Sequence, residues 1–322
     1  MKAVYIDQPG GPEALVLGDR PVPTPGAGEV LVHVAYSGVN FIDTYHRSGL
    51  YKLPTPAILG SEGAGTVDAV GEDVKGFKPG DRVAYAMVRG SYAEYQAVPA
   101  SMLVHVPASV ELDIAAAVML QGMTAHYLTH STFELKPGHT CLIHAAAGGT
   151  GRLMVQMATM IGARVIATVG SEDKARLTLG DGASAAINYS TQDFVEEVKK
   201  VTDGKGVNVV YDGVGQSTFL KGLDCLKPRG TMAIFGNASG AVAPFDPLLL
   251  SAKGSLYVTR PTLANYISRE ELDWRSKDLF NWIASGKLKV RIDQVYSLAE
   301  TAQAQMDLAA RKTTGKLILK VG

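Results

Sequence analysis

The chain has 322 residues, 46% of them hydrophobic, which is more than one hydrophobic core usually takes up, so two domains are expected. Its 31 lysines and arginines balance 31 aspartates and glutamates. That balance excludes a strong overall field drawing the protein to nucleic acid or to an anionic membrane. No window reaches the roughly 18 consecutive apolar residues of a membrane-spanning helix. Met1-Lys2-Ala3-Val4-Tyr5-Ile6 reads as a first strand and not as an export segment, so the expected location is cytoplasmic.

Residues 1–122 read as a mainly β domain. Short runs such as Val30-Leu31-Val32-His33-Val34 and Gly65-Thr66-Val67-Asp68-Ala69-Val70 alternate between turn signals at Pro9 to Pro12, Pro25-Gly26, Pro54 to Pro56 and Lys78 to Asp81, the spacing of a compact antiparallel barrel. A helical pattern begins near Leu112 and runs through Leu128. Strand and helix patterns then alternate over residues 123–260. Strands are expected at Thr140 to His144, Arg164 to Val169, Ala185 to Tyr189, Val207 to Asp212 and Gly230 to Gly236. Helices are expected from about Thr150, from about Glu172, over Phe194 to Val201 and near Thr218 to Cys225. Such alternation is the mark of an α/β domain with a doubly wound parallel sheet. Residues 261–322, with a helix around Trp274 to Ser285 and a last strand Lys316 to Lys320, are expected to return to the first domain. Cys141 and Cys225, both inside apolar runs, read as buried thiols.

The strand Thr140 to His144 leads through Ala145-Ala146-Ala147-Gly148-Gly149-Thr150-Gly151 into the apolar helix Leu153 to Ala158. Glycine at such a turn lets the backbone approach a pyrophosphate, and the N–H groups and positive end of the helix favour its charge. A site that prefers NAD places an acid about twenty residues on, for the ribose 2′-hydroxyl. Here the corresponding residues are Val169-Gly170-Ser171. Glu172 and Asp173 follow at a helix start, where they equally serve the helix dipole. Lys174 is placed to pair with a 2′-phosphate, with a solvated helix lysine as the competing reading, and Tyr189 follows the third strand. NADPH is the expected cofactor.

Four segments, Ser37-Gly38-Val39-Asn40-Phe41-Ile42-Asp43-Thr44-Tyr45, Gly60-Ser61-Glu62-Gly63-Ala64-Gly65, Ala145 to Gly151 and Gly254 to Pro261, span nearly the whole chain. Through them it resembles the medium-chain dehydrogenase/reductase superfamily, and within it the zinc-free quinone oxidoreductase or zeta-crystallin-like group. The resemblance implies a Rossmann-type domain and a GroES-like catalytic domain. It further implies that Gly148, Gly149, Thr150 and Gly151 cradle the pyrophosphate and that Ser171, Lys174 and Tyr189 surround the 2′-phosphate. Phe235, Gly236, Val258 and Arg260 would line the cofactor further along, with Asn40 and Thr124 near the nicotinamide. Thr150 stands where valine is commoner, and Arg152 where a smaller or apolar residue is usual; the arginine would favour an anionic cofactor.

Zinc-dependent relatives use cysteine, histidine and an acid as metal ligands. The corresponding segments here, Gly38-Val39-Asn40 and Gly60-Ser61-Glu62, have neither cysteine nor histidine, and residues 90–110 lack cysteine. No metal site is expected. An acceptor that delocalises charge into its own oxygen needs less Lewis-acid help, which favours a quinone or an activated enone. Asn40, Asp43, Tyr45 and Tyr51 are the candidate pocket residues, with Asn40 or a tyrosine hydroxyl as donor to the developing oxyanion, and His46 is expected to be exposed. The leading expectation is NADPH-dependent quinone reduction, by hydride or electron transfer. An enone or enal double-bond reductase is the alternative, and a crystallin-like or RNA-binding protein that holds NADPH is the alternative of another class. Ser255 to Thr259 reads as an exposed edge strand, and the resemblance implies a homodimer paired through it.

Overall fold

The computed structural model describes residues 1–322. The chain divides into two compact units, Met1–Met123 with Tyr266–Gly322, and Thr124–Asn265.

The first unit opens with β1 (Lys2–Ile6), β2 (Val16–Asp19) and the long β3 (Glu29–Val39), followed by helix α1 (Phe41–Ser48). Short β4 (Ala57–Ile58) and β5 (Glu62–Val70), β6 (Arg82–Ala86), β7 (Tyr95–Pro99) and β8 (Val104–His105) follow, and then helix α2 (Leu112–Tyr127), whose residues from Thr124 onward belong to the second unit. β3 is the hub, antiparallel to both β5 and β7. Alternation decides its faces: Val30, Val32 and Val34 turn inward and pack with Val67, Val83, Tyr85, Val98 and Leu103. Each such fully buried aliphatic side chain contributes about 1.5–3 kcal/mol.

The second unit alternates as its sequence does. It comprises β9 (Thr140–Ile143), α3 (Gly149–Ile161), β10 (Arg164–Val169), α4 (Glu172–Gly180), β11 (Ala185–Asn188), α5 (Phe194–Val201), β12 (Val207–Asp212), α6 (Phe219–Leu223), β13 (Leu226–Ile234), α7 (Leu248–Ala252) and β14 (Tyr257–Thr259). Six parallel strands lie in the order β11-β10-β9-β12-β13-β14. The chain winds outward from β9 in one direction and then, from β12, in the other, so the order reverses beside β9. That reversal is where doubly wound sheets bind dinucleotides. Helices on both faces explain why Cys141-Leu142-Ile143 is apolar throughout and fully buried. Burial also pushes the thiols of Cys141 and Cys225 up to about 12, so both stay protonated.

The chain then returns to the first unit as α8 (Arg269–Ala284), β15 (Ile292–Ser297), α9 (Thr301–Ala309) and β16 (Lys316–Lys320). α8 starts more than a turn before the expected Trp274, because Ser268 and Glu271 form a capping box. β16 pairs antiparallel with β3 and parallel with β15, so the sheet is mixed where an antiparallel one was expected.

Candidate functional site

In the second unit β9 ends in a turn whose left-handed residue is Ala145, with φ 52°. Gly148 then caps α3 in extended conformation. Gly148 N–H donates to the Ala145 carbonyl at 2.9 Å, closing the turn. A Cβ on Gly151 would lie 2.5 Å from the Ala145 oxygen and 2.7 Å from Ala146 Cα, both backbone atoms. Only glycine lets the first turn of α3 sit that close to the end of β9. The N–H groups of Gly149, Thr150 and Gly151 have no intrahelical partners, as at any helix start. They form an anion-binding end at the point where the strand order reverses. Arg152 is not turned to this end. Its guanidinium forks onto Asp181 at 2.6 and 2.8 Å and staples α3 to the end of α4, so the expectation that it favours an anionic cofactor is corrected.

At the carboxyl end of β10, Ser171 caps α4 by accepting the Lys174 N–H at 3.4 Å. Lys174 is half-buried in the first turn. Tyr189, just past β11, is 46% exposed, and its phenol lies over Gly170, where a Cβ would come within 2.8 Å of the hydroxyl. The two nearby acids are both engaged. Glu172 Oε1 accepts from Asn188 Nδ2 at 2.8 Å, and Asp173 is ion-paired with Arg176. Phe235 and Gly236 follow β13 directly. Val258 lies within β14, and Arg260, one residue beyond that strand, donates to the Ile234 carbonyl at 3.2 Å. The residues expected to hold the cofactor in this unit, Thr124 of α2 and Val258 excepted, thus lie just past the carboxyl ends of parallel strands.

The first unit carries a buried polar cluster. Asn40 caps α1 and is 2% exposed. Its Nδ2 donates to Glu62 Oε2 at 2.8 Å and to the Gly38 carbonyl at 3.4 Å. Its Oδ1 accepts from Lys316 Nζ at 2.7 Å and from Gln121 Nε2 at 3.3 Å. Lys316 also donates to Glu62 Oε2 at 2.5 Å, and Glu62 Oε1 accepts from the Leu120 N–H at 2.6 Å. The ion pair fits because residue 38 is glycine: a Cβ there would lie 2.1 Å from Glu62 Oε2. Burial pulls the Lys316 ammonium below the ordinary lysine range, opposed by the Glu62 charge. Both amide protons of Asn40 are spent inside the protein, which corrects the expectation that they serve an oxyanion.

Asp43 is fully buried and accepts three hydrogen bonds, from Ser61 Oγ at 2.8 Å, Tyr92 Oη at 2.9 Å and the Asn40 N–H at 2.9 Å. Burial raises its carboxyl to about 6, against these donors and the Lys316 charge. It therefore braces the start of α1. Tyr45 and Tyr51 meet edge to face with centroids 5.2 Å apart. Phe41 adjoins Tyr45 at 6.2 Å and His46 adjoins Tyr51 at 6.1 Å. His46, expected to be exposed, is half-buried. Sequence reasoning missed Lys316, Gln121 and Tyr92, whose partners are remote in the chain. It had a signal only for Lys316, a lysine opening the strand whose next three residues, Leu317 to Leu319, are apolar. No group of three or more histidine, cysteine, aspartate or glutamate side chains is placed to hold a metal ion.

Two family models match: the alcohol dehydrogenase GroES-like domain over residues 26–108 and the zinc-binding dehydrogenase family over residues 149–274. A quinone oxidoreductase of Pseudomonas aeruginosa is 49% identical over 99% of both chains. The chain belongs to the quinone oxidoreductase family. The structure of the Escherichia coli quinone oxidoreductase complexed with NADPH superposes with a TM-score of 0.98 at 44% identity, covering 99% of this chain and 100% of that one. A 2-haloacrylate reductase of a Burkholderia species is 43% identical over 98% of both chains, so this quinone oxidoreductase fold also has a relative named for another acceptor.

Proposed function

We propose that the chain is an NADPH-dependent quinone reductase. The observation that carries this reading is the end-to-end similarity to proteins named quinone oxidoreductase, one of them crystallised with NADPH, in a chain whose glycine turn is intact where the parallel strand order reverses. The geometry fits the cofactor: a Cβ on Gly151 would strike the turn's backbone, and the acids nearest the adenosine end are already engaged. NADPH, when bound, supplies the hydride. Gly149, Thr150 and Gly151 hold the pyrophosphate with backbone N–H groups, and Gly148, whose own N–H closes the turn onto Ala145, caps the helix and lets the backbone come close. Ser171, Lys174 and Tyr189 take the 2′-phosphate, with Lys174 supplying charge and Ser171 a hydroxyl. Phe235, Gly236, Val258 and Arg260 line the rest of the nucleotide path. Thr124 bounds the nicotinamide end of the second unit's nucleotide path, and Asn40, its hydrogen bonds being filled, acts by shape. Tyr45 and Tyr51 present rings to a planar acceptor, and a tyrosine hydroxyl donates to the oxygen on which charge develops. Asp43 holds the frame of α1, and solvent delivers the proton.

A second reading, reduction of an activated carbon–carbon double bond, is favoured by the 2-haloacrylate reductase relative. The test is loss of NADPH absorbance with 1,4-benzoquinone, a naphthoquinone and a simple enone, against the same series with NADH. Turnover of quinones with NADPH supports the first reading. Turnover of the enone alone transfers support to the second, and no oxidation with any acceptor overturns both.

The cytoplasm is the proposed location; no helix is long and apolar enough to cross a membrane. The protein acts as a homodimer paired through β14. Supporting this, β14 is the sheet's last strand, with Tyr257 62% exposed and Leu248 nearby in sequence 73% exposed. A sedimentation mass of a single chain at micromolar concentration would refute it.

A further inference from the structure

Glu172 is the first residue of α4, one position past the Ser171 cap, close in sequence to where a dinucleotide fold that prefers NAD places its ribose-binding acid. It is exposed, and a carboxylate loose in this place would accept the 2′-hydroxyl of NADH and repel the 2′-phosphate of NADPH. The structure instead engages it: Oε1 accepts from Asn188 Nδ2 at 2.8 Å. Asn188 is itself held on every side. It ends β11 directly opposite Val169 of β10 and is 6% exposed. Its Oδ1 accepts the Ser190 N–H at 3.1 Å, and its own N–H donates to Gln192 Oε1 at 3.0 Å. Because Oδ1 is committed to an N–H donor, the amide has one allowed orientation, with its NH₂ toward Glu172. The Ser190 hydroxyl, donating to the Gly170 carbonyl at 3.0 Å, ties the same two segments again.

We propose that Asn188 is a specificity-determining positioning residue: by holding the Glu172 carboxylate toward β11 it withholds a latent acid from the adenosine ribose and so preserves preference for NADPH over NADH. The inference rests on the NADPH reading above and deepens it. Asn188 contributes no charge of its own, and acts only through the carboxylate that it retains.

The test is equilibrium binding of NADPH and NADH by fluorescence titration of the wild type, Asn188→Ala, Glu172→Gln and the double variant. Asn188→Ala is expected to lower the NADPH preference, the ratio of the two dissociation constants, about tenfold, because a released carboxylate near a phosphate repels it through partly screened solvent. Removing the charge in the double variant is expected to restore the ratio to within about twofold of the wild type, and Glu172→Gln alone should also stay within about twofold, its side chain still able to accept from Asn188. A purely structural role of Asn188 would weaken binding equally with or without Glu172. So an unrestored double variant overturns the proposal, as does an unchanged ratio in Asn188→Ala. A large shift in Glu172→Gln, which alters an exposed side chain and leaves the fold alone, would mean that the carboxylate already touches the nucleotide, and also overturns it. If the wild type shows no NADPH preference, the cofactor reading falls first and this one with it.

Discussion

Replacing Lys316 with methionine tests whether the ion pair beneath Asn40 is as isolated from water as its geometry indicates. The two side chains are 1% and 0% exposed. Without the ammonium, Glu62 Oε2 keeps one Asn40 proton and Oε1 keeps the Leu120 N–H, neither of which carries a full charge. Asn40 Oδ1 keeps only the 3.3 Å bond from Gln121. Removing one partner of a buried pair costs about 3–5 kcal/mol, since the other charge stays buried and uncompensated. Urea unfolding followed by tryptophan fluorescence is the assay. Both tryptophans, Trp274 and Trp282, lie in α8 of the same unit, so the signal reports that unit. Lys316→Met is expected to lose about 3–5 kcal/mol, and Lys316→Met with Glu62→Gln should lose less, because the neutral amide can still accept from Leu120. A loss below about 1 kcal/mol, or a double variant no better than the single, would show that the stranded charge is not the source of the cost.

Gly151→Ala should weaken NADPH binding at least about tenfold by fluorescence titration, since the clash is with backbone that cannot rotate away, and unchanged affinity would place the pyrophosphate elsewhere. Lys174→Ala should reduce NADPH affinity by about ten- to a hundredfold and leave NADH nearly unaffected; equal losses for both would remove Lys174 from the 2′-phosphate. Asp43, raised from 3.8 to about 6, binds its proton more tightly folded than unfolded. Its contribution to stability is therefore full below about pH 4, is lost as pH rises through about 6, and amounts to about 3 kcal/mol across that window. Stability curves at pH 4 and 7 should show this difference shrinking in Asp43→Asn, and an identical difference in both proteins would contradict the buried carboxyl.

The doubly wound sheet was legible because its signals are local. Arg164 to Val169, Phe194 to Val201 and Val207 to Asp212 form the expected elements at the expected residues, since period and turn chemistry act over a few positions. The glycine turn was legible for the same reason. Boundaries set by capping were harder: the Ser268 and Glu271 pair that starts α8 precedes the apolar pattern from which that helix was read.

What the sequence by itself determined is the class of fold, the turn from Gly148 to Gly151 and the lack of cysteine and histidine in Gly38 to Asn40 and Gly60 to Glu62. Tertiary structure alone decided which polar groups are spent. Asn40 looked like an oxyanion donor until Lys316, 276 residues away, and Glu62 were brought against it. Arg152 looked available to a phosphate until Asp181 took its fork, and Glu172, which the sequence left as a charge at the start of a helix, is bound by Asn188. A hydrogen-bonding side chain has only a few donor and acceptor positions, and a partner far along the chain can fill them without leaving any trace in the local pattern.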